Sequence, residues 1–143
     1  ARMVEVQFIS ELVMNMEEGL QDYSPQKIDA FYKANDKKFA KEADYVRRFD
    51  ATFGLLVSLN ESTIKDSIFH RPPIFFSLFI ILDAGKNKIS TSKLEALVSD
   101  VDSRFEAEDK TKRDTDFYVA CTSNPHRIRS REIRDRYIRS FLE

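Results

Sequence analysis

Three glycines and four prolines are all that punctuate the 143 residues of this chain. A sequence so poor in turn formers does not supply the frequent tight turns of an all-β fold. The glycines and prolines sit where helices should stop or start, and Gly54, which falls inside a helical pattern, weakens that pattern only slightly. Val4, Phe8, Ile9, Leu12, Val13 and Met16 recur at helical spacing and predict one apolar stripe on a helix ending near Gly19. Ser24-Pro25 reads as an N-cap followed by proline in the first helical position, opening a short helix with Ile28, Phe31 and Tyr32 that ends at Asn35-Asp36. Phe39, Val46, Phe49, Phe53, Leu56 and Val57 then keep the period, with Lys38, Lys41, Glu42 and Arg47 opposite.

Periodicity lapses between Asn60 and Pro73, and Arg71-Pro72-Pro73 forces an extended entry into the next element. From Ile74 to Leu82 only Ser77 interrupts a run of apolar side chains. Hydrophobic all round, this segment is expected to be a central buried helix over about 74–84. Its Phe and Ile content also suits a strand, against which stand the prolines before it, Gly85 after it and helices on both sides. Ser90 to Ser92 can cap a helix bearing Leu94, Leu97, Val98, Val101 and Phe105, while the charged stretch from Glu106 to Asp116 reads as a loop or frayed helix end. Ile128, Ile133, Tyr137, Ile138, Phe141 and Leu142 form the apolar side of a last helix. The expected fold is all-α, a single bundle of about six helices spanning residues 1–143.

With 42% hydrophobic residues and twelve Phe, a chain of this length can bury roughly two thirds of its unfolded surface without a disulfide or metal. The lone Cys121 fits a reducing, cytoplasmic setting. No apolar stretch is long enough to span a bilayer, and the N-terminus lacks the pattern of a signal peptide. The opening Ala-Arg-Met-Val points to a piece of a longer protein.

Motifs that would carry chemistry fail on inspection. Asp83 to Ser90 looks superficially like a calcium loop. With Asp83 as first ligand, however, the positions that need Gly, an aliphatic residue and Glu hold Lys88, Ser90 and Leu94. His70 and His126 supply no spaced ligand pair, and a Cys121–His126 dyad has nothing to activate its thiol. Three isolated glycines cannot cradle a phosphate, so no cofactor site is expected.

What remains is a run of six arginines, Arg127, Arg129, Arg131, Arg134, Arg136 and Arg139, on a chain whose formal net charge is −1. Guanidinium forks suit phosphate and carboxylate oxygens. If the segment is helical, Ile133, Tyr137, Ile138 and Phe141 face the core, and Arg131, Arg134, Arg136 and Arg139 spread over the flanks and the exposed side. Glu132 precedes Arg136 by four residues and Asp135 precedes Arg139 by four, so these two have intrahelical partners. Arg127, Arg129, Arg131 and Arg134 do not, which makes them the candidate phosphate contacts, with Ser123 and Asn124 as neutral donors upstream. A solvated, salt-bridged helix accounts for the same pattern.

Several segments together resemble the helical second half of GmrSD-type restriction-system proteins. They are Arg2-Met3 followed by Phe8-Ile9-Ser10-Glu11-Leu12, the Phe31-Tyr32 pair, Phe49, Ile68-Phe69-His70-Arg71 leading into Phe75-Phe76-Ser77-Leu78-Phe79, and the Arg127/Arg131/Arg134 segment. In that family the first half is similar to the ParB/sulfiredoxin fold and carries an Asp-Gly-Gln-Gln-Arg motif linked to nucleotide binding and hydrolysis. A His-Asn-His nuclease often follows, and the systems cut modified phage DNA. Neither motif occurs in this chain, so no catalytic residue carries over. The resemblance implies a non-catalytic helical module of a nucleotide-dependent phage-defence endonuclease. Its implied partners are a nucleotide-binding half, a nuclease and DNA, with homodimerisation as a way to cover exposed Phe surface. A helical interaction or oligomerisation module with no nucleic-acid role is the other reading of the same residues.

Overall fold

A computed structural model of the chain describes residues 2–35 and 38–143, with side chains described from residue 6 onward outside that gap. Among the described residues all regular structure is helical: eight α-helices and one 3₁₀ turn, where the sequence pattern predicted about six helices. The two additional helices are short. One is α4 (Glu61–Lys65), which leads into the 3₁₀ turn Ile68–His70; the other is α7 (Thr115–Thr122). Each is opened by a side-chain cap rather than by a hydrophobic stripe. Asn60 accepts from Ser62 N–H, Ser67 from Phe69 N–H, and Asp114 from Phe117 N–H.

Helix α1 (Arg2–Glu18) ends as predicted, on Gly19, whose φ of +86° provides the left-handed stop while its N–H bonds the Asn15 carbonyl. The predicted stripe is only partly the buried one. Ser10 through Asn15 are all buried, whereas Ile9 is exposed, because α1 is covered by α2 (Pro25–Asn35) on one side and by α5 (Pro72–Ala84) on another. Val4 belongs to the predicted stripe but lies outside the residues whose side chains are described, and Asp36, the predicted end of α2, lies outside the described residues. Ser24 does cap α2, accepting from Lys27 N–H at 3.3 Å.

The apolar segment behind Pro72-Pro73 is the central helix α5, and the strand alternative is set aside. Its buried Ile74, Phe76, Leu78, Phe79, Ile81 and Leu82 belong to one continuous core with residues of α1, α3 (Glu42–Val57), α6 (Thr91–Phe105), α7 and α8 (Ile128–Ser140). Helix α6 follows its prediction closely: Ser90 caps it, and Leu94, Leu97, Val98, Val101 and Phe105 are the buried set. The turn between α5 and α6 places Lys86 and Asn87 in the left-handed region, with φ of 54° and 56°. Among the described residues no helix is long and apolar enough to cross a membrane.

Helix α3 departs from its hydrophobic period. Val46, Phe53 and Val57, predicted for the core, are exposed, and the inward positions are Tyr45, Thr52 and Leu56. Polar tethers explain the rotation. Tyr45 donates to Glu17 Oε1 at 2.8 Å, Arg48 donates both arms of its fork to Asp83 at 3.0 and 2.6 Å, and Thr52 accepts from Asn87 at 3.1 Å. Residues 45, 48 and 52 share one helical face, so four directional bonds outweigh the burial that turning Val46 and Val57 inward would gain.

Candidate functional site

The arginine-rich segment forms α8, and its four candidate residues divide into two pairs. Arg127, at the N-cap, and Arg129 are exposed. Arg131 and Arg134 are interior, 2% and 0% exposed. The expectation that these two lie on the flanks and exposed side of the helix is therefore corrected. Positions 131, 134 and 138 follow one another at helical spacing, and Arg131, Arg134 and Ile138 are the buried stripe of α8. Ile133 and Tyr137, predicted to face the core, are only half-buried.

An arginine at a core position needs most of its donors matched, and of the donors of these two only Arg131 Nε and Arg134 Nη2 are buried without a partner among the described residues. Arg131 donates through Nη2 to Glu11 of α1 and through Nη1 to the Gln21 carbonyl at 2.7 Å, and its guanidinium lies over the Phe76 ring, 4.4 Å from the centroid. One residue thus ties α8 to α1, to the segment that follows α1, and to α5. Arg134 pairs with no carboxylate among the described residues. Its Nε donates to Ser77 Oγ at 2.8 Å, and its Nη1 donates to the carbonyls of Ala120 and Pro125, both at 2.7 Å. Ala120 lies in the last turn of α7, whose final carbonyls lack intrahelical partners. Arg134 therefore acts as a cationic C-cap, favoured by the negative end of that helix. Burial pushes its pKa down to about 10, still far enough above neutrality to keep the charge. Burial also pushes the nearby Cys121 thiol up to about 12, so it stays protonated at neutral pH.

The start of α8 is also held from a distance. Asp22 accepts from Ile128 N–H at 2.6 Å, and Tyr23 N–H donates to the His126 carbonyl at 2.9 Å. Asp22, Tyr23 and His126, with Asn124, Pro125 and Arg127, line a shallow recess of about 510 Å³. His126 stacks at a tilt on Tyr23, and its pKa is lowered, first by desolvation. Further along, the predicted Asp135–Arg139 pair forms at 2.8 Å. No ion pair joins Glu132 to Arg136 among the described residues, and Arg136, seven positions on from Arg129, shares its outward face.

Sequence reasoning missed the partners: Glu11, Gln21, Asp22 and Ser77. Two left a signal. Ser77 is the one polar residue in the apolar run of α5, and Glu11 falls between the apolar pairs Phe8-Ile9 and Leu12-Val13 of α1; a polar side chain in such a stripe needs an inward-facing partner. Compared with known proteins, the chain matches no family model, no curated protein and no solved structure.

Proposed function

We propose that this domain is a non-catalytic helical packing module of a larger nucleotide-dependent restriction protein acting on modified DNA, the context its sequence resembles. The observation that carries the architectural part of this reading is the burial of Arg131 and Arg134, which spend the centre of the arginine run on joining α8 to α1, α5 and α7. Contact with DNA phosphate falls to the exposed Arg127 and Arg129 alone among the four candidates. A second reading, a helical interaction module with no nucleic-acid role, draws on the same burial, since it removes half of the candidate phosphate contacts.

Salt dependence separates the two. On the first reading duplex DNA binds the chain with an affinity that falls steeply as salt rises. Replacing Arg127 and Arg129 together by glutamine then lowers the slope of log K against log salt by about 2, one counterion release for each lost contact. The module part is tested by mixing the purified chain with a separately expressed ParB/sulfiredoxin-like half from the same locus and measuring the mass of the complex. Absence of a stable complex, or nucleotide hydrolysis by the 143-residue chain alone, refutes it.

A further inference from the structure

The outward face of α3 carries a seam that nothing among the described residues covers. Residues 43, 47, 50, 54 and 57 advance by four, three, four and three, the spacing that keeps one line along a helix facing a partner helix. Ala43, Arg47, Asp50, Gly54 and Val57 occupy that line and all are exposed, Val57 at 79%. Val46 and Phe53 flank it at 52% and 41% exposed.

Gly54 is the least expected member. A Cβ built there meets no atom within 4 Å beyond its chain neighbours and the adjoining backbone of its own helix, and its φ is not in the left-handed region, so neither the packing of the monomer nor its backbone requires glycine. Glycine inside a helix is unfavourable. A bare backbone at an exposed mid-helix position does allow a second helix to approach closely.

The charges identify which helix. In an antiparallel pair related by a twofold axis between residues 48 and 49, Ala43 faces the second copy's Gly54, Val46 faces its Ala51, and Arg47 faces its Asp50. The symmetry repeats each contact in reverse, so two ion pairs form at the centre between small side chains that permit close approach. A parallel pair would instead set Arg47 against Arg47 and Asp50 against Asp50. Arg47 already pairs with Asp44 of its own helix at 2.7 Å, with 73% of its side chain still exposed, so its fork is held on the surface with donors to spare.

We infer that α3 is a homodimerisation helix, pairing antiparallel with α3 of a second copy through reciprocal Arg47–Asp50 ion pairs and close packing at Gly54. The interface is narrow, so the dimer is weak and concentration-dependent. It stands on α3 alone and is independent of what α8 does.

The test is sedimentation equilibrium of the 143-residue chain across the micromolar range, alone and as variants. Wild type is expected to show a reversible monomer–dimer equilibrium. Arg47→Asp and Asp50→Arg, which place like charges across the axis, each weaken it by about tenfold or more. An equimolar mixture of these two variants forms a heterodimer. In it the carboxylate introduced at position 47 of one copy faces the guanidinium introduced at position 50 of the other, while the unaltered Asp50 and Arg47 pair as before. Gly54→Leu abolishes the dimer while its helical circular dichroism and melting temperature stay at or above the wild-type values. A wild-type chain that stays monomeric throughout overturns the proposal, as does a dimer indifferent to either charge reversal or a mixture that fails to associate.

Discussion

Replacing Arg134 by methionine removes a guanidinium from a fully buried site while keeping most of the aliphatic bulk, so its effect isolates the polar contacts. Three hydrogen bonds from a charged donor disappear, to Ser77 Oγ and to the Ala120 and Pro125 carbonyls. At roughly 1.5–3 kcal/mol each this is a loss of about 4.5–9 kcal/mol. Against it stands relief from burying a cation that has no carboxylate partner among the described residues. The fall of the Arg134 pKa to about 10 corresponds to roughly 3 kcal/mol of penalty on the charged form. The net expectation is a destabilisation of about 1.5–6 kcal/mol, or roughly 5–18 °C in melting temperature for a domain of this size. Replacing a whole buried ionic group by apolar residues can be neutral. Here only the donor leaves, and the two carbonyls stay behind unpaired. The assay is thermal denaturation followed by circular dichroism, with the Arg127→Gln/Arg129→Gln double variant as control. That control should stay within about 0.5 kcal/mol of wild type, as exposed substitutions usually do. An Arg134→Met protein as stable as wild type would refute the reasoning and return Arg134 to the surface.

Glu11→Ala leaves Arg131 buried beside an empty partner position and should cost about 3–5 kcal/mol in urea denaturation, whereas Glu11→Met combined with Arg131→Met should cost clearly less, because no charge is stranded. If the single and double variants lose the same amount, the pair is not coupled. The Glu17 carboxyl is held below its usual value, chiefly by the hydrogen bond from Tyr45 and next by that from Lys41. It therefore contributes stability that is present above the unfolded pKa, about 4.5, and is lost as pH falls through the lower folded value. Tyr45→Phe should flatten that part of the pH–stability curve, and an unchanged acid limb would exclude the Tyr45–Glu17 bond.

The elements that could be read from the sequence are those whose signal is local. Ser24 and Ser90 cap the helices they were expected to cap, Gly19 stops α1, and the run from Ile74 to Leu82 is too apolar to lie anywhere but inside. Helix α7 was not legible. Eight residues with Phe117, Ala120 and Cys121 as the buried set give too short a stripe to distinguish from a loop, and its far end is capped by an arginine fourteen positions on. The rotation of α3 depends on Glu17, Asp83 and Asn87, and that of α8 on Glu11, Ser77 and the carbonyls around Pro125. No window of neighbouring residues contains those pairings. At the candidate site Arg131 and Arg134, expected on the flanks and exposed side, are buried, because periodicity counts every arginine as outward and cannot see a core acceptor waiting for it.

The two rotations act together on the surface. In α8, hydrogen-bonded acceptors draw arginines inward; in α3, tethers at Tyr45, Arg48 and Thr52 turn valines and a phenylalanine outward. Helix α3 thereby shows exposed aliphatic side chains beside Arg47 and Asp50, flanked by Phe53, which packs on Phe75 and Phe79, while α8 keeps Arg129 and Arg136 outside. Salt distinguishes what each surface can do. Phosphate binding through Arg127 and Arg129 releases counterions and weakens with every increment of salt. Association through α3 combines apolar contact with two ion pairs, so salt screens only part of it. An interaction of this domain that survives high salt is therefore to be sought on α3, and one that does not on the outer face of α8.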